Sequence, residues 1–130
     1  KKDGGKILNI ASSSIKEPIP GLILSNTFRT GIVGLSKSLA SEFASYNILI
    51  NTIAPGRIAT DRVKHLDQIN ADKQGVDINT VELSMKETIP LKRYGTPEKF
   101  ANVAAFLLSD ANTYMTGSSF LVDGGMIKAI

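Results

Sequence analysis

Cysteine is missing from all 130 residues, which excludes a disulfide framework and thiolate metal sites and fits a cytoplasmic location. Histidine is nearly missing as well: His65 stands alone, too little for a zinc centre in a chain without cysteine, and it lies in the variable segment, which argues against a Ser-His-Asp triad. The run Ser12-Ser13-Ser14 has no G-x-S-x-G elbow around it and gives no sign of a hydrolase nucleophile. No apolar run approaches the roughly 20 residues of a membrane span, and no signal-peptide pattern opens the chain. Aromatic residues make up only 6%; Tyr94, Phe100 and Phe106 read as core packing rather than base-stacking platforms. Charge of one sign is not concentrated anywhere. The 15 basic and 12 acidic residues are well mixed, so the net +3 is ordinary solvated surface, and nucleic acid is not an expected partner. A further absence is any G-x-G-x-x-G or related glycine cluster opening a helix.

What is present reads as one soluble globular unit, 42% hydrophobic and 21% charged. It is organised around Asn51 to Asp61, NTIAPGRIATD. This segment continues an apolar run (Ile48, Leu49, Ile50) and then breaks at Pro55-Gly56, a strong turn signal. Thr60 and Asp61 therefore lie beyond the carboxyl end of a strand, the edge at which open α/β sheets bind ligands.

In chain order, Lys1 to Lys6 is a polar lead-in with a Gly4-Gly5 turn, and Ile7 to Ala11 predicts a short strand buried on both faces. Ile15 to Leu24, with Pro18, Pro20 and Gly21, predicts a loop. From about Asn26 to Ser45, Ile32, Leu35, Leu39 and Phe43 recur at helical steps, and small residues such as Gly31, Gly34 and Ala40 allow close approach of a neighbour. Ile48 to Ile53 is a second strand. Arg62 to Thr88 predicts helical pieces broken near Gly75, with His65 on their surface. Thr96-Pro97-Glu98 combines a capping hydroxyl, proline at the first helical position and an acid in the first turn. Phe100, Val103, Ala104 and Leu107 supply that helix's buried face, and Ser118 to Val122 is a third strand ended by Asp123-Gly124-Gly125. Strands alternating with helices imply an α/β fold with parallel pairing and right-handed crossovers.

Four stretches, ILNIASS, GIVGLSKSLASEFASYNILINTIAPGRIATD, IPLKRYGTPEKFANVAAFLLSD and YMTGSSFLVDGG, then carry a resemblance across the whole chain. In order and spacing they resemble the carboxyl-terminal half of a short-chain dehydrogenase/reductase, in its 3-oxoacyl-acyl-carrier-protein reductase-like branch. The resemblance implies half of a Rossmann-type doubly wound parallel sheet: residues 1–130 form a partial Rossmann domain, with 62–89 a variable substrate lobe inserted in it. The three strands would be the family's fifth to seventh. Strands one to four and the phosphate loop have no counterpart here, so the expectation is a fragment or split product with a sticky strand edge at Ile7 to Ala11.

The resemblance also implies a site. NAD or NADP is the expected cofactor, with Pro55, Gly56 and Ile58 bordering the nicotinamide ring and Thr60 donating to its carboxamide or pyrophosphate. Taken alone, Pro55-Gly56 reads as a plain turn and Thr60 as a helix cap, and only the flanking family matches shift the balance to a nucleotide site; Asn51 reads as a structural residue bonding backbone, and Asp123 as a strand exit. Ser12 matches the family's catalytic serine. Counting forward without gaps, the family's tyrosine position falls on Ser25 and its lysine position on Arg29, in SNTFR. None of Tyr46, Tyr94 and Tyr114 restores the motif, since Ile50, Glu98 and Ser118 stand four residues after them.

That departure changes the chemistry. A phenol starts near pKa 10 and a neighbouring cation tunes it toward neutrality, whereas a serine hydroxyl is a far weaker acid. Arg29 can hold ribose hydroxyls or a carboxylate through its planar fork, and Ser25 can orient a water. Two readings follow. One is an NAD(P)-dependent oxidoreductase of carbonyl or hydroxyl substrates with an altered proton relay at Ser12, Ser25 and Arg29, inactive as this piece alone. The other is a non-catalytic dinucleotide-binding or assembly subunit. A homo-oligomer, dimer or tetramer, is the expected partnership in either case, through the helix of Asn26 to Ser45 and through the last helix and strand.

Overall fold

The computed structural model describes residues 4–130; the start of the polar lead-in, residues 1–3, lies outside the described residues. Three strands, β1 (Gly5–Ile10), β2 (Ile48–Pro55) and β3 (Ser119–Val122), form one parallel sheet in the order β1-β2-β3. The register pairs Gly5 with Ile48 through Ile10 with Ile53, and Thr52 with Ser119 through Pro55 with Val122. Helix α1 (Ile23–Glu42) crosses from β1 to β2. Helices α2 (Asp61–Gln74), α3 (Ile78–Thr88) and α4 (Pro97–Leu108) lie between β2 and β3.

The central strand carries the core. Ile50, Ile53 and Ala54 of β2 are completely buried, together with the polar Asn51 and Thr52. Each polar group there has a partner, as burial requires. Asn51 Nδ2 donates to the Met115 carbonyl (2.7 Å) and its Oδ1 accepts from the Ser118 N–H (3.2 Å), which fixes the chain leading into β3. Thr52 Oγ1 donates to Ser36 Oγ (3.0 Å); Asn9 Nδ2 donates to the same oxygen (2.8 Å), and Ser36 Oγ itself donates to the Ile32 carbonyl (2.7 Å). One serine hydroxyl thus ties β1, β2 and α1 together.

Four expectations need correction. β1 is not buried on both faces: it is an edge strand with no neighbour beyond it among the described residues, and Ile7 and Ile10 are 45% and 60% exposed. Helix α1 begins at Ile23, inside the expected loop, because Asn26 of its first turn grips the incoming chain; Asn26 Nδ2 donates to the Ile19 carbonyl (3.0 Å) and Oδ1 accepts from the Ile19 N–H (3.3 Å). The inward stripe of α1 runs through Ile32, Ser36, Leu39, Ala40 and Phe43, whose small members let it sit close to β2, while Leu35 lies off that stripe and is half exposed. On α4, Leu107 is buried but Phe106 is 43% exposed, so Phe106 is not a core residue of this chain.

Local signals explain the helix ends. Gly75 closes α2 at φ 65°, a left-handed conformation that glycine adopts at no steric penalty. Thr96 Oγ1 accepts from the Lys99 N–H and Pro97 occupies the first turn of α4. The Glu98 carboxyl is held below its ordinary pKa, first by its own backbone N–H and then by the Thr96 hydroxyl. No helix among the described residues is long and apolar enough to cross a membrane.

Candidate functional site

Parallel pairing brings the carboxyl ends of all three strands to one edge of the sheet. β1 continues through Ala11, whose N–H donates to the Ile53 carbonyl (2.8 Å), into Ser12. β2 ends at Pro55, and the Gly56 N–H reaches the Val122 carbonyl (3.0 Å) at the end of β3. Asp123 then turns the chain, its two carboxylate oxygens accepting from the Gly125 N–H (2.9 Å) and the Ile127 N–H (2.8 Å), a strand-exit role.

Ser12 caps a short 3-10 turn (Ser13–Ile15), its Oγ accepting from the Ser14 N–H at 3.3 Å. That leaves its own proton free to donate. Ser25 lies half-buried in the first turn of α1, and its hydroxyl has no partner among the described residues. Arg29 stands one turn further along. Its Nη1 donates to the Ala11 carbonyl (2.6 Å) and the Ile10 carbonyl (3.2 Å), so the guanidinium is fastened across the carboxyl end of β1, directly before Ser12. Its Nε and Nη2 have no partner among the described residues.

On the β2 side, the reason for glycine at position 56 differs from the sequence expectation. A Cβ there would lie 2.5 Å from Asp123 Cβ and 2.7 Å from its Cα, so the close approach that requires glycine is already made within the chain. Ile58 is half-buried and pairs with Gly95 in an isolated parallel bridge: the Ala59 N–H donates to the Gly95 carbonyl (2.8 Å) and the Gly95 N–H to the Arg57 carbonyl (2.9 Å). Thr60 is exposed and caps α2, its Oγ1 accepting from the Val63 N–H at 3.3 Å. The cap reading is therefore correct, and the hydroxyl proton remains available.

Sequence reasoning missed one cluster beside this loop. Asp67 on α2 is buried, with 3% side-chain exposure. Its Oδ1 accepts from Arg57 Nη1 (2.9 Å) and its Oδ2 from the Tyr94 hydroxyl (2.8 Å). Arg57 lies over the Tyr94 ring at 5.9 Å and Lys86 of α3 at 5.6 Å, both within cation–π range. Burial, followed by the bond to Asp67 and its charge, raises the Tyr94 pKa far above the ordinary phenol value. A signal existed: Asp67 falls on the apolar stripe of α2 with Val63 and Ala71, where an unpaired carboxylate is not tolerated. Asp67 and Tyr94 form part of the wall of a cleft of about 540 Å³ that opens between α2 and α3 past Thr60. His65 is exposed on α2, and no group of three or more His, Cys, Asp or Glu among the described residues is placed to hold a metal ion.

Comparison with known proteins agrees with this architecture. Residues 1–127 match the family model described as enoyl-(acyl carrier protein) reductase. A 3-oxoacyl-[acyl-carrier-protein] reductase of Aquifex aeolicus is 38% identical over 126 residues, covering 97% of this chain and 46% of that protein. The NADPH-dependent reductase BacG of Bacillus subtilis is 33% identical, over 97% of this chain and 49% of its own length. Among solved structures, the L-sorbose reductase of Gluconobacter frateurii in complex with NADPH and L-sorbose superposes with a TM-score of 0.91 at 34% identity, covering 98% of this chain and 49% of that one. The chain spans about half the length of the curated relatives it matches. A parallel Rossmann half-sheet and a family match along nearly its whole length make this chain a member of the short-chain dehydrogenase/reductase family, of the 3-oxoacyl-acyl-carrier-protein reductase-like kind.

Proposed function

We propose that the protein is a nicotinamide-dinucleotide-dependent oxidoreductase of carbonyl or hydroxyl substrates, and that this chain supplies the nicotinamide edge, Ser12 and the substrate lobe at 62–89. The observation that carries the reading is the set of unspent donors at the carboxyl edge of the sheet: the hydroxyls of Ser12, Ser25 and Thr60 and the Nε and Nη2 groups of Arg29. Pro55 and Ile58, both half-buried, supply apolar surface after the same edge of the sheet. Donors beside an apolar wall suit a dinucleotide, whose ribose, phosphate and carboxamide oxygens accept while its nicotinamide ring packs. NADPH in the names of the Bacillus relative and the sorbose reductase complex supports the cofactor class, with NAD or NADP left to the test.

When bound, the dinucleotide supplies or takes the hydride. The chain's own residues orient and handle the proton. Thr60 donates to the carboxamide or pyrophosphate, Arg29 turns its free nitrogens to ribose hydroxyls or a substrate carboxylate, and Ser12 donates to the substrate oxygen. Ser25 lacks the acidity of a phenol, so it holds a water that delivers the proton.

A second reading, a non-catalytic dinucleotide-binding or assembly subunit, is favoured by one specific observation. Arg29 Nη1 is committed to backbone carbonyls, and no base or cation contacts Ser25 among the described residues. Turnover separates the two. NADH and NADPH oxidation is followed with a panel of carbonyl compounds, using the longest natural form of the protein. The oxidoreductase reading expects slow wild-type turnover and a gain in S25Y/R29K. Dinucleotide binding with no turnover in either form establishes the second reading instead.

Self-association belongs to the same proposal. Ile23, Leu24 and Phe28 on the outer face of α1 are 78%, 73% and 70% exposed, a contiguous apolar patch suited to a second copy. Sedimentation that yields only monomer at micromolar concentration overturns this part.

A further inference from the structure

The geometry points to Asp67 as a positioning residue: by gripping Arg57 and Tyr94 together it sets the place of the Pro55–Thr60 segment, and through it the affinity for dinucleotide. The second half of this inference rests on the cofactor reading above.

Three independent stretches converge on the one carboxylate. Arg57 comes from the segment after β2, Asp67 from the middle of α2, and Tyr94 from the turn before α4. Both carboxylate oxygens are satisfied at hydrogen-bond distance, and the group is buried, so its position is strongly specified. The backbone repeats the connection, since the Arg57 carbonyl and the Ala59 N–H both bond Gly95. Ile58 seals that junction: a Cβ on Gly95 would lie 2.8 Å from Ile58 Cδ1. Among the described residues segment 57–59 has no strand partner other than this bridge, so without Asp67 two backbone hydrogen bonds, the Ile58 contact and the Arg57–Tyr94 ring contact are left to hold it. A carboxylate whose only task was to solubilise α2 would not be buried with both oxygens engaged.

Consequences follow for function. Ile58 and Thr60 follow Arg57 by one and three residues and lie on the proposed nicotinamide edge, so release of Arg57 frees both to move. Aligned donors lose affinity when they wander, even though no contact to the ligand has been deleted. Tyr94 and Asp67 touch neither Ser12, Ser25 nor Arg29, so their loss acts on binding more than on the chemical step.

The test uses the longest natural form of the protein with the variants D67N and Y94F, the second keeping ring volume so that the fold survives. Hydrogen exchange is read at the amides of Ala59 and Gly95, the two that the bridge protects, with β2 amides as the internal standard. Loss of one buried charged hydrogen bond is expected to raise exchange at Ala59 and Gly95 by about tenfold or more while β2 is unchanged. NADPH or NADH affinity is expected to weaken by about tenfold, with KM for dinucleotide rising more than kcat falls. Arg57→Lys, which keeps the charge, is expected to retain part of the affinity that Arg57→Ala loses. Unchanged exchange at Ala59 and Gly95 in folded Y94F and D67N overturns the anchoring role. Raised exchange with unchanged dinucleotide affinity overturns the link to binding. If wild type itself fails to bind either dinucleotide, the cofactor reading falls, and with it that link, whereas the exchange result still decides the anchoring.

Discussion

Gly56→Ala provides a sharp perturbation, because the structure assigns the need for glycine to a contact inside the chain. The added Cβ would lie 2.5 Å from Asp123 Cβ and 2.7 Å from Asp123 Cα. Carbon atoms settle at about 3.5–4.0 Å, so Asp123 or Gly56 must retreat by about 1 Å or more. Neither can do so by a side-chain rotation, since the overlap includes a Cα. The retreat separates the ends of β2 and β3 and stretches the Gly56 N–H to Val122 hydrogen bond, now 3.0 Å. Overpacking of this kind costs about 1–3 kcal/mol, and a weakened buried hydrogen bond adds about 0.5–1.5 kcal/mol. The expected loss is therefore about 2–4 kcal/mol. Urea denaturation is the assay, with a lower midpoint at unchanged slope as the expected signature. A variant as stable as wild type that loses only dinucleotide binding would falsify the internal-contact argument and return Gly56 to a purely ligand-facing role.

Other expectations are equally concrete. Ser36→Ala leaves the half-buried Asn9 and the buried Thr52 donors without their acceptor and is expected to lower stability by about 2–4 kcal/mol, with Thr52→Val in the same background recovering part of it. Gly31→Ala meets nothing within 4 Å and is expected to stabilise an isolated chain by about 0.5–1 kcal/mol; if α1 packs on a second copy through its small residues, the same change weakens the assembly instead, which sedimentation reads. Tyr94 has a folded-state pKa above its unfolded value, so stability is unaffected by this group below about pH 10. Above that pH the unfolded chain releases a proton that the folded chain keeps, and stability falls. Denaturation between pH 9 and 11 (about one unit either side of an ordinary phenol) is expected to show a steeper fall in wild type than in Y94F.

The parts of the fold that were legible in the sequence are those written in local chemistry. Gly75 marks a helix end and Thr96-Pro97-Glu98 a helix start, and the apolar run at Ile48 to Ile53 marks a strand. The exposed edge at Ile7 to Ala11 was legible only through the family resemblance, which leaves that strand without a neighbour; nothing in the local sequence of Ile7 and Ile10 marks their exposure, and on its own the run reads as buried on both faces. The start of α1 was missed because the clamp of Asn26 on Ile19 is a side-chain contact that proline and glycine counts do not register.

At the site, position was legible and partnership was not. The strand-end location of Ser12, Pro55 and Gly56 follows from parallel pairing, which alternation of strands and helices already implied. That Arg29 would spend one nitrogen on the Ile10 and Ala11 carbonyls, or that Asp123 rather than a ligand demands glycine at 56, depends on distances no pattern encodes. Asp67 lay between these cases. Its place on an apolar stripe announced a partner without naming Arg57 and Tyr94.

The measurement that bears most directly on the central claim is a titration of NADPH and NADH into the longest natural form of the protein, followed by nucleotide fluorescence, with Thr60→Ala alongside. Saturable binding of one dinucleotide at about micromolar affinity, weakened in Thr60→Ala, is the expected result. No binding of either dinucleotide at millimolar concentration by a folded protein would contradict the account.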